Sequence, residues 1–389
     1  AYGSDNYVVD VATIIDSSSV DDGLTDFRII SNMEEGIWIS EEYSGYSVDN
    51  IHPSTPDNIF ASGSGDDVNM SWNYASDFDF NHHQITGLNN TLYTTENQID
   101  ILVSDYDEFF NNSVDINENL SDKSDDISAH NMHYGMNLVS FSVLPEDNDV
   151  NNVLSSEDVT QIIGEGIAAS VLPNGLWVGS LNNVEVDRGY WVKSEAGEIL
   201  SIVGQKEYNT LYDLHSGNNL ISYTCSTPGS LNELITNENV TSIIGEGVAA
   251  TYNQSFGGWI GSLNTLSPGK GYWFNASTST DLSYDCPVEF IVSARQQEFE
   301  DIKNYAQSTQ QAFYFFEDIE NVEVGDRVES YCNNTLVGSR VWTGPYMDIP
   351  AMGQDSQEIT QGYCIEASIP TFKLIKESGE IFDLIGDIP

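Results

Sequence analysis

The sequence predicts a mainly β protein of several domains, on three observations. The chain has 389 residues, a length typical of about two to four domains. Runs of β-branched and aromatic residues recur along it, separated by Gly, Asn and Pro, as in strands joined by turns. A segment of about 80 residues also occurs twice, which indicates a modular architecture.

The duplicated segment is the strongest of these signals. Residues 135–191 contain, in order, GMNLVSF, VTQIIGEGIAAS, LWVGSL and RGYW. Residues 217–273 contain GNNLISY, VTSIIGEGVAAT, GWIGSL and KGYW. Matched residues lie 82 positions apart at both ends of the segment, whereas the central block that begins at Val159 recurs 81 positions later. Ordered identities with one inserted residue indicate a tandem duplication.

Each repeat is predicted to be a small α+β unit with a mainly antiparallel sheet. A β-branched strand comes first, at 138–143 and at 220–223. Two short helical segments are predicted next, at 150–154 and 157–163 and again at 231–235 and 238–244. Ser230 is the expected N-cap, and Gly164 and Gly245 are the expected C′ residues. Strands follow at 168–172 and 176–181, at 249–252 and 258–263, and then at the Gly-Tyr-Trp motif.

Residues 51–129 begin with Pro53 and Pro56, and VNMSW follows with Trp72 as the expected core residue. DFDF then precedes a further strand, and SVDINENLSDKSDDIS closes the segment. This order resembles a fibronectin type III module, and the resemblance implies a β-sandwich. One departure is that Asn111 and Asn112 stand where that family alternates apolar residues.

Residues 1–50 show strand-like alternation and no helical period, with a strand expected at 8–15. The stretch FRIISNMEEGIWISEEYSGYSVDN resembles the last two strands of another fibronectin type III-like module. The resemblance implies that residues 1–50 are the C-terminal half of such a module. We therefore expect the other half to have been cleaved or to be supplied by another chain, as in strand complementation.

Residues 287–389 are predicted to form an all-β, sandwich-like module, with strands at 312–316, 327–331, 335–342, 362–367 and 371–375. Its phrases VGDRVESYCNNTLVGSRVW and TQGYCIEASIPTFKLIKESGEIFDL, like those of the two repeats, resemble modules of multi-module surface and virion proteins of marine bacteria and their phages. The resemblance implies an extracellular structural protein and names no activity. The predicted domains are therefore 1–50, 51–129, 130–206, 207–286 and 287–389.

The charge balance excludes several classes of partner. The chain carries 61 acidic and 12 basic residues, a formal net charge of −49. A surface this negative repels nucleic acid and anionic lipid, and no segment is long and apolar enough to enter a bilayer. Self-repulsion is screened in seawater, where the Debye length falls to roughly 3–4 Å. The composition therefore favours an exported protein that works in salty water.

Four cysteines allow three pairings. Only the sequential pairing, Cys225 with Cys286 and Cys332 with Cys364, keeps each bridge inside one module. No Cys-x-x-Cys spacing or neighbouring histidine indicates zinc. We expect two disulfides, with free buried thiols as the alternative.

Repeated aromatic residues are the first candidate site. Stacked rings bind sugars, so a ligand surface is one interpretation. The other is packing: neighbouring strand residues point to opposite faces, so in each Gly-Tyr-Trp motif one ring enters the core and the other lies at a module junction or on the surface. We favour packing. The residues concerned are Trp177, Tyr190, Trp191, Trp259, Tyr272 and Trp273.

Alternating oxygen-bearing residues are the second candidate. Asp115, Asn117 and Asn119 stand at a spacing of two, which is how a loop presents oxygens to Ca²⁺. A full EF-hand loop is absent, and solvated turns in an Asp- and Asn-rich chain are the alternative. Calcium is therefore the one metal the sequence suggests, and no other cofactor is expected.

No catalytic motif stands out, since the chain contains no Gly-x-Ser-x-Gly, P-loop or dinucleotide fingerprint. The sequence favours a non-catalytic structural or adhesive surface protein, a segment of an extracellular fibre, filament or virion appendage. Its expected partners are further copies or other structural subunits, with a cell-surface glycan as a further candidate. The alternative is the carbohydrate-binding accessory region of a secreted multi-domain hydrolase.

Overall fold

The computed structural model describes residues 11, 13–14, 23–47, 52–88, 90–156, 158–207, 211–287 and 305–386. The chain divides into two compact units. The first contains residues 1–60, 71–99 and 110–125, and the second contains 61–70, 100–109 and 126–389. Regular structure is almost entirely β, which confirms the predicted fold class. The five predicted domain boundaries stay a prediction, and most of the predicted strand at 8–15 lies outside the described residues.

Four short strands belong to the N-terminal part of the first unit: β1 (Thr25–Phe27), β2 (Ile30–Met33), β3 (Gly36–Ile39) and β4 (Tyr43–Gly45). β1 pairs antiparallel with β4, and β2 forms a hairpin with β3. Ile37, Trp38 and Ile39 are each more than half exposed. The hairpin therefore presents apolar side chains at the surface.

Seven strands follow: β5 (Phe60–Ser64), β6 (Asp67–Ser71), β7 (Phe80–Gly87), β8 (Thr91–Thr94), β9 (Gln98–Leu102), β10 (Tyr106–Asp115) and β11 (Asp126–Asn131). In the first unit, β7 pairs antiparallel with β8. Trp72 is buried and its ring centroid lies 4.9 Å from that of His83, so it is a core residue as predicted. Asn111 and Asn112 are buried too, and the Asn112 amide donates to the carbonyl oxygen of Ser121 at 2.9 Å.

Both repeats lie in the second unit and share a central order of elements, in which two strands, a single-turn helix and four further strands follow one another, while the second repeat has additional short strands. The first contains β12 (Gly135–Ser140), β13 (Val143–Leu144), α1 (Val150–Val153), β14 (Val159–Ile163), β15 (Ala168–Val171), β16 (Trp177–Gly179), β17 (Gly189–Ser194) and β18 (Ile199–Lys206). The second contains β19 (Tyr212–Leu214), β20 (Gly217–Ser222), β21 (Gly229–Ser230), α2 (Leu231–Leu234), β22 (Val240–Ile244), β23 (Ala249–Asn253), β24 (Gly258–Gly261), β25 (Thr265–Leu266), β26 (Gly271–Ala276) and β27 (Thr280–Leu282).

The central sheets of the two repeats match strand for strand. The first has the order β12-β17-β14-β15-β16 and the second the order β20-β26-β22-β23-β24, antiparallel throughout. Each sheet packs on its own hydrophobic core, which includes the single-turn helix of that repeat. Strand β11 spans the predicted boundary at residue 129 and pairs with β18 of the first repeat. The duplication in the sequence is therefore a duplication of structure.

One helical prediction in each repeat is wrong. Residues 159–163 and 240–244 form strands β14 and β22, and Glu157 lies outside the described residues. The runs VTQII and VTSII are rich in β-branched residues, whose restricted χ1 favours strands. Gly164 and Gly245 are consequently turn residues rather than helix C′ residues: their N–H groups donate to the carbonyl oxygens of Ile167 and Val248 at 2.8 and 2.9 Å. The first predicted helix is present in both repeats as α1 and α2.

The C-terminal module contains β28 (Gln311–Phe316), β29 (Arg327–Cys332), β30 (Thr335–Val341), β31 (Met347–Met352), a 3₁₀ turn (Glu358–Thr360), β32 (Thr371–Ile375) and β33 (Ile381–Leu384). The strand predicted at 362–367 is wrong: the segment turns, with φ of +90° at Gly362 and +64° at Ala367. The prediction missed β31, because Pro350 lacks the N–H of a ladder residue and argues against a strand. It also missed β33.

Two disulfides join Cys225 to Cys286 and Cys332 to Cys364, each bridge within one module. The partners of the first bridge are 61 residues apart in sequence, and Cys225 is part of the core of the second repeat. The second bridge lies in one of two core clusters of the C-terminal module. No helix among the described residues has the length and apolar character needed to cross a membrane.

Candidate functional site

The two repeats pack against each other through equivalent residues. Val139 of β12 forms an isolated antiparallel bridge with Lys270, and Ile221 of β20 forms one with Arg188. Val139 and Ile221 are 82 positions apart, as are Arg188 and Lys270. In a twofold interface, a residue of the first partner contacts a second residue on the other partner, and the reverse contact is made as well. The two bridges have this relationship, because each repeat contributes the strand residue to one bridge and the basic residue to the other. The junction between the repeats therefore has approximate twofold symmetry within one chain.

Backbone hydrogen bonds follow the same rule. The N–H of Ser140 donates to the carbonyl oxygen of Gly269 at 2.9 Å, and the N–H of Ser222 donates to that of Asp187 at 3.3 Å. Each donor and acceptor is again 82 positions from its counterpart. The first strand of each repeat thus meets the segment that leads into the Gly-Tyr-Trp motif of the other.

Two histidine–glutamate pairs lie on either side of this approximate axis. His133 Nε2 lies 2.5 Å from Oε1 of Glu246, and His215 Nε2 lies 2.6 Å from Oε1 of Glu165. The second oxygen of each carboxylate accepts a backbone N–H, from Leu138 at 2.8 Å and from Leu220 at 3.0 Å. Each carboxylate therefore connects a side chain and a strand of the other repeat.

The surroundings favour the charged form of His215 in one pair and of Glu246 in the other. The Nδ1 of His215 lies 2.9 Å from the carbonyl oxygen of Ser216, so both ring nitrogens face acceptors. That carbonyl and the carboxylate of Glu165 raise the pKa of His215. Burial opposes ionisation of Glu246, but its hydrogen bond from His133 and the charges of His133 and Lys270 outweigh burial and lower the pKa. The pairs are hydrogen-bonded ion pairs when both partners are ionised.

Glycines allow the two backbones to approach. A Cβ on Gly189 would lie 2.8 Å from the carbonyl oxygen of Ile221, and one on Gly271 would lie 2.7 Å from that of Val139. The Cα atoms of the two glycines are themselves close, since the added Cβ of each would lie 3.2 or 3.1 Å from the Cα of the other. The glycine of the Gly-Tyr-Trp motif is thus required by close packing of the repeats.

The candidate aromatic residues lie in cores or at the junction. Tyr190 and Tyr272 belong to the cores of their own repeats, whereas Trp191 and Trp273 belong to a separate cluster with Leu138 and its equivalent. Trp177 and Trp259 are 9% and 8% exposed. Trp191 is 2% exposed and Trp273 is half-buried. Five of the six side chains are therefore buried, which favours packing over a sugar-binding surface.

The C-terminal module packs on the second repeat through a buried carboxylate. Asp348 on β31 is fully buried and accepts hydrogen bonds from the N–H and the hydroxyl of Ser262. Arg340 on β30 donates to the same carboxylate and to the carbonyl oxygen of Gly247, each at 2.9 Å. These polar contacts between modules were not predicted, because nothing in the local sequence pairs residues 340 and 348 with residues 247 and 262.

The candidate calcium residues form a closed turn. Asp115 is fully buried, and one of its oxygens accepts the backbone N–H groups of Asn117 and Asn119, each at 2.8 Å. Its other oxygen accepts the Asn119 amide at 2.8 Å. A cation would have to displace these donors, so calcium at this loop stays a prediction that the local geometry does not support. The described residues contain no cluster of three acidic, His or Cys side chains that could hold a metal ion.

Comparison with known proteins adds little. No family model and no curated protein matches the chain. Among solved structures, the chain is similar to the crystal structure of the FN1–FN3 domains of chicken CNTN1, with 12% sequence identity over 60% of this chain and 99% of that chain. The TM-score is 0.16, which is too low to support an argument about fold or function. The assignment of a β-rich modular chain therefore depends on the strands and sheets described above.

The sequence contained a signal for the histidine–glutamate pairs. His133 and His215 are 82 positions apart, and Glu165 and Glu246 are 81 apart, so both members of each pair are present in both repeats. Core packing retains apolar residues, but it does not require a charged residue to be kept twice. A shared polar role was therefore inferable, although its partner was not.

Proposed function

We propose that this chain is a non-catalytic structural protein, a segment of an extracellular fibre, filament or virion appendage built from tandem β-rich modules. The observation that carries the proposal is the twofold junction. Its repeated glycines, the tryptophans Trp191 and Trp273 and the two histidine–glutamate pairs all lie where one repeat packs against the other. Because these repeated polar and aromatic residues pack one repeat on the other, they favour a structural role over ligand binding.

Two features support an extracellular setting for this scaffold. Disulfides form and persist in oxidising compartments, and the chain contains two. The net charge of −49 suits a surface that must stay dispersed and avoid nucleic acid. The resemblance to surface and virion proteins of marine bacteria and phages agrees with both.

The N-terminal hairpin of β2 and β3 supports assembly with other subunits. Ile37, Trp38 and Ile39 are 67%, 54% and 54% exposed, and exposed apolar patches of this kind mark interaction sites. Completion of this sheet by a strand from a neighbouring subunit is the mode of joining that we propose.

A carbohydrate-binding role has less support. Sugar platforms need exposed rings, whereas Trp191 is buried in the cluster between the repeats. Glycan-array binding that is lost in Trp273→Ala would favour this alternative over the scaffold.

The test is immunogold negative-stain electron microscopy of native source material, with antibody against this chain. We expect gold particles along filaments or on particle appendages. Label that is confined to dispersed, unassembled protein would contradict the proposal. A matched sample labelled with pre-immune serum controls for adventitious gold.

A further inference from the structure

The C-terminal module docks on a defined surface of the second repeat, which we call the repeat 2 face: Gly245, Gly247, Gly261 and Ser262. Gln311 of β28 donates to the carbonyl oxygen of Gly245 at 3.1 Å, and its side-chain oxygen accepts the N–H of Gly247 at 3.3 Å. Arg340 and Asp348 bind Gly247 and Ser262 as described above. Most of the groups contacted on this face are backbone atoms of glycines or the serine of the Gly-Ser-Leu motif.

The first repeat carries the same residues at equivalent positions, which we call the repeat 1 face: Gly164, Gly166, Gly179 and Ser180. Its conformation matches at the central glycine, with φ of +72° at Gly166 and +69° at Gly247. The two faces therefore present the same local chemistry.

The two faces differ in what covers them. Gly247 is buried, and a Cβ there would lie 3.3 Å from the Gln307 side chain. Gly166 is exposed, and no atom of the described residues lies within 4 Å of the same point. Ser180 is exposed, whereas Ser262 is half-buried under Asp348. Beside the repeat 1 face, the side chain of Val178 is 42% exposed, whereas its equivalent Ile260 is half-buried. The repeat 1 face is open where the repeat 2 face is occupied.

The backbone N–H of the serine has a different hydrogen-bond acceptor in the two faces. The N–H of Ser262 points to Asp348, whereas the N–H of Ser180 donates to the carbonyl oxygen of Ala168 at 2.8 Å. The hydroxyls of both serines accept an N–H of their own repeat, from Ala249 at 3.3 Å and from Ala168 at 3.2 Å. A carboxylate that bound at Ser180 would therefore have to replace one backbone hydrogen bond, the bond from the Ser180 N–H to the carbonyl oxygen of Ala168.

We propose that the repeat 1 face is a second docking site, and that its occupant is a module of the C-terminal type carried by another polypeptide. Recognition would use a buried carboxylate on Ser180, a guanidinium on the carbonyl of Gly166 and a carboxamide on Gly164. By the same symmetry, the occupant would also meet the His215–Glu165 side of the junction, just as Tyr305, Gln307 and Ile359 lie beside His133 and Glu246.

The numbers of faces and modules identify the occupant. The described part of the chain contains two such faces and one C-terminal module, which already occupies the repeat 2 face. Exchange of that module between identical copies would fill one face by emptying another, with no net gain in contacts. We therefore assign the occupant of the repeat 1 face to a different subunit. This partner would be a neighbour in the proposed assembly, so the inference depends on the proposed function in that respect.

The test uses full-length variants of this chain as donor and acceptor. The donor carries Ser262→Glu, which places a carboxylate against Asp348 and releases the C-terminal module from the repeat 2 face by like-charge repulsion. It also carries Ser180→Glu, which keeps the released module from its own repeat 1 face. The acceptor is the wild-type chain, whose repeat 1 face is open. Binding is measured by biolayer interferometry with the acceptor immobilised.

We expect the donor to bind the wild-type acceptor and to lose about tenfold or more in affinity for a Ser180→Glu acceptor. A donor that also carries Asp348→Asn should lose about tenfold or more, because a charge-assisted hydrogen bond becomes a neutral one. The matched control is a Ser180→Glu/Asp348→Asn acceptor, in which the repeat 2 face is available and the repeat 1 face is blocked.

A donor that binds this control acceptor but not the wild type overturns the proposal. A donor that binds neither shows that Asp348 does not direct docking, which overturns it as well. Self-association of the wild type that Ser180→Glu abolishes would make a second copy the occupant and contradict the partner named here. All three outcomes leave the electron-microscopy test of the proposed function unaffected.

Discussion

Glu246 of the second repeat accepts a hydrogen bond from the ring of His133 in the first repeat at 2.5 Å. The same carboxylate accepts the N–H of Leu138, an apolar residue of strand β12. Across the junction Glu165 makes the equivalent bonds to His215 and Leu220. The two sets of hydrogen bonds are related by the internal duplication, so a histidine–glutamate pair stabilises the junction on each side. The cluster that contains Trp191 and Trp273 also lies at this junction.

The substitution Glu246→Gln should weaken the junction. The introduced side-chain amide would face the Leu138 N–H or the His133 ring with a donor where an acceptor is needed. Leaving a buried donor unpaired costs about 1–3 kcal/mol, so we expect the free energy of unfolding to fall by that amount. Urea unfolding with the disulfides intact measures it.

The exposed Glu238, in the same repeat, supplies the control. Glu238→Gln should change the unfolding free energy by no more than about 0.5 kcal/mol. The double variant Glu165→Gln/Glu246→Gln should depart from additivity by about 0.5 kcal/mol or more, because both residues hold one interface. Equal effects of Glu246→Gln and Glu238→Gln would show that the pair contributes nothing.

The sequence predicted many of the strands, whereas it did not predict which residues meet at the junction between the repeats. Strand β29 was predicted within one residue, because a strand-like run is bounded there by Gly325 and Asn333. The Gly-Tyr-Trp motif predicted one ring in the core and the other at a junction or on the surface. Tyr190 lies in the core of its repeat and Trp191 in the cluster between the repeats, and the sequence did not decide between those two places for the second ring. The helix predicted over residues 157–163 failed because the β-branched residues of VTQII favour a strand. That strand pairs with β15 and β17.

The partners at the junction were beyond sequence reasoning. His133 and Glu246 are separated by 113 residues, and their contact depends on how two folded repeats pack. Asp348 was likewise one carboxylate among 61 acidic residues, and nothing local distinguishes it. Its burial against Ser262 is decided by the docking of a whole module.

Alanine at Gly189 or Gly271 should destabilise the junction. Each new Cβ would press on a backbone carbonyl of the opposite repeat, at 2.8 or 2.7 Å, and backbone cannot move aside as a flexible side chain can. Overpacking of this kind costs about 1–3 kcal/mol. Differential scanning calorimetry should therefore show a lower melting temperature for both variants.

Gly258 is the matched control for these substitutions. It lies in β24, and a Cβ there would meet the Asn232 side chain at 3.4 Å, an ordinary contact. Gly258→Ala should be neutral or stabilise by about 0.4–1 kcal/mol through the unfolded chain. If Gly189→Ala and Gly271→Ala behave like Gly258→Ala, the repeats do not pack as closely as described.

His130 should make stability depend on pH below 6.5. Its ring is buried between Tyr106 and Phe141, with ring centroids 4.8 and 5.2 Å away. Burial, and then the charge of Lys270, lower the pKa of His130 from 6.5 to about 3. The unfolded chain therefore takes up a proton that the folded chain refuses, and stability is lost progressively as the pH falls from 6.5 towards 3.

His130→Phe keeps an aromatic ring and removes this titration. The unfolding free energy of the variant minus that of the wild type should be constant above pH 7. Below pH 6.5 the difference should increase by about 1.4 kcal/mol for each unit by which the pH falls. Chemical unfolding at a series of pH values measures the difference, and the common loss from carboxylate protonation cancels in the subtraction. A difference that does not vary with pH would mean that His130 is not held neutral.

Salt should stabilise the chain strongly, because its 61 acidic and 12 basic residues leave a net charge of −49. Raising NaCl from 0.1 M to about 0.7 M shortens the Debye length from about 10 Å to roughly 3–4 Å, so repulsion between surface carboxylates is screened. Each kcal/mol relieved should raise the melting temperature of a unit of 150–250 residues by about 2–4 °C. A variant with exposed acids such as Glu34, Glu35 and Glu238 changed to Gln separates screening from other effects of salt, because it should melt higher at 0.1 M and gain less from NaCl. Equal gains in both proteins, or none, would remove the argument that this acidic surface is suited to salty water.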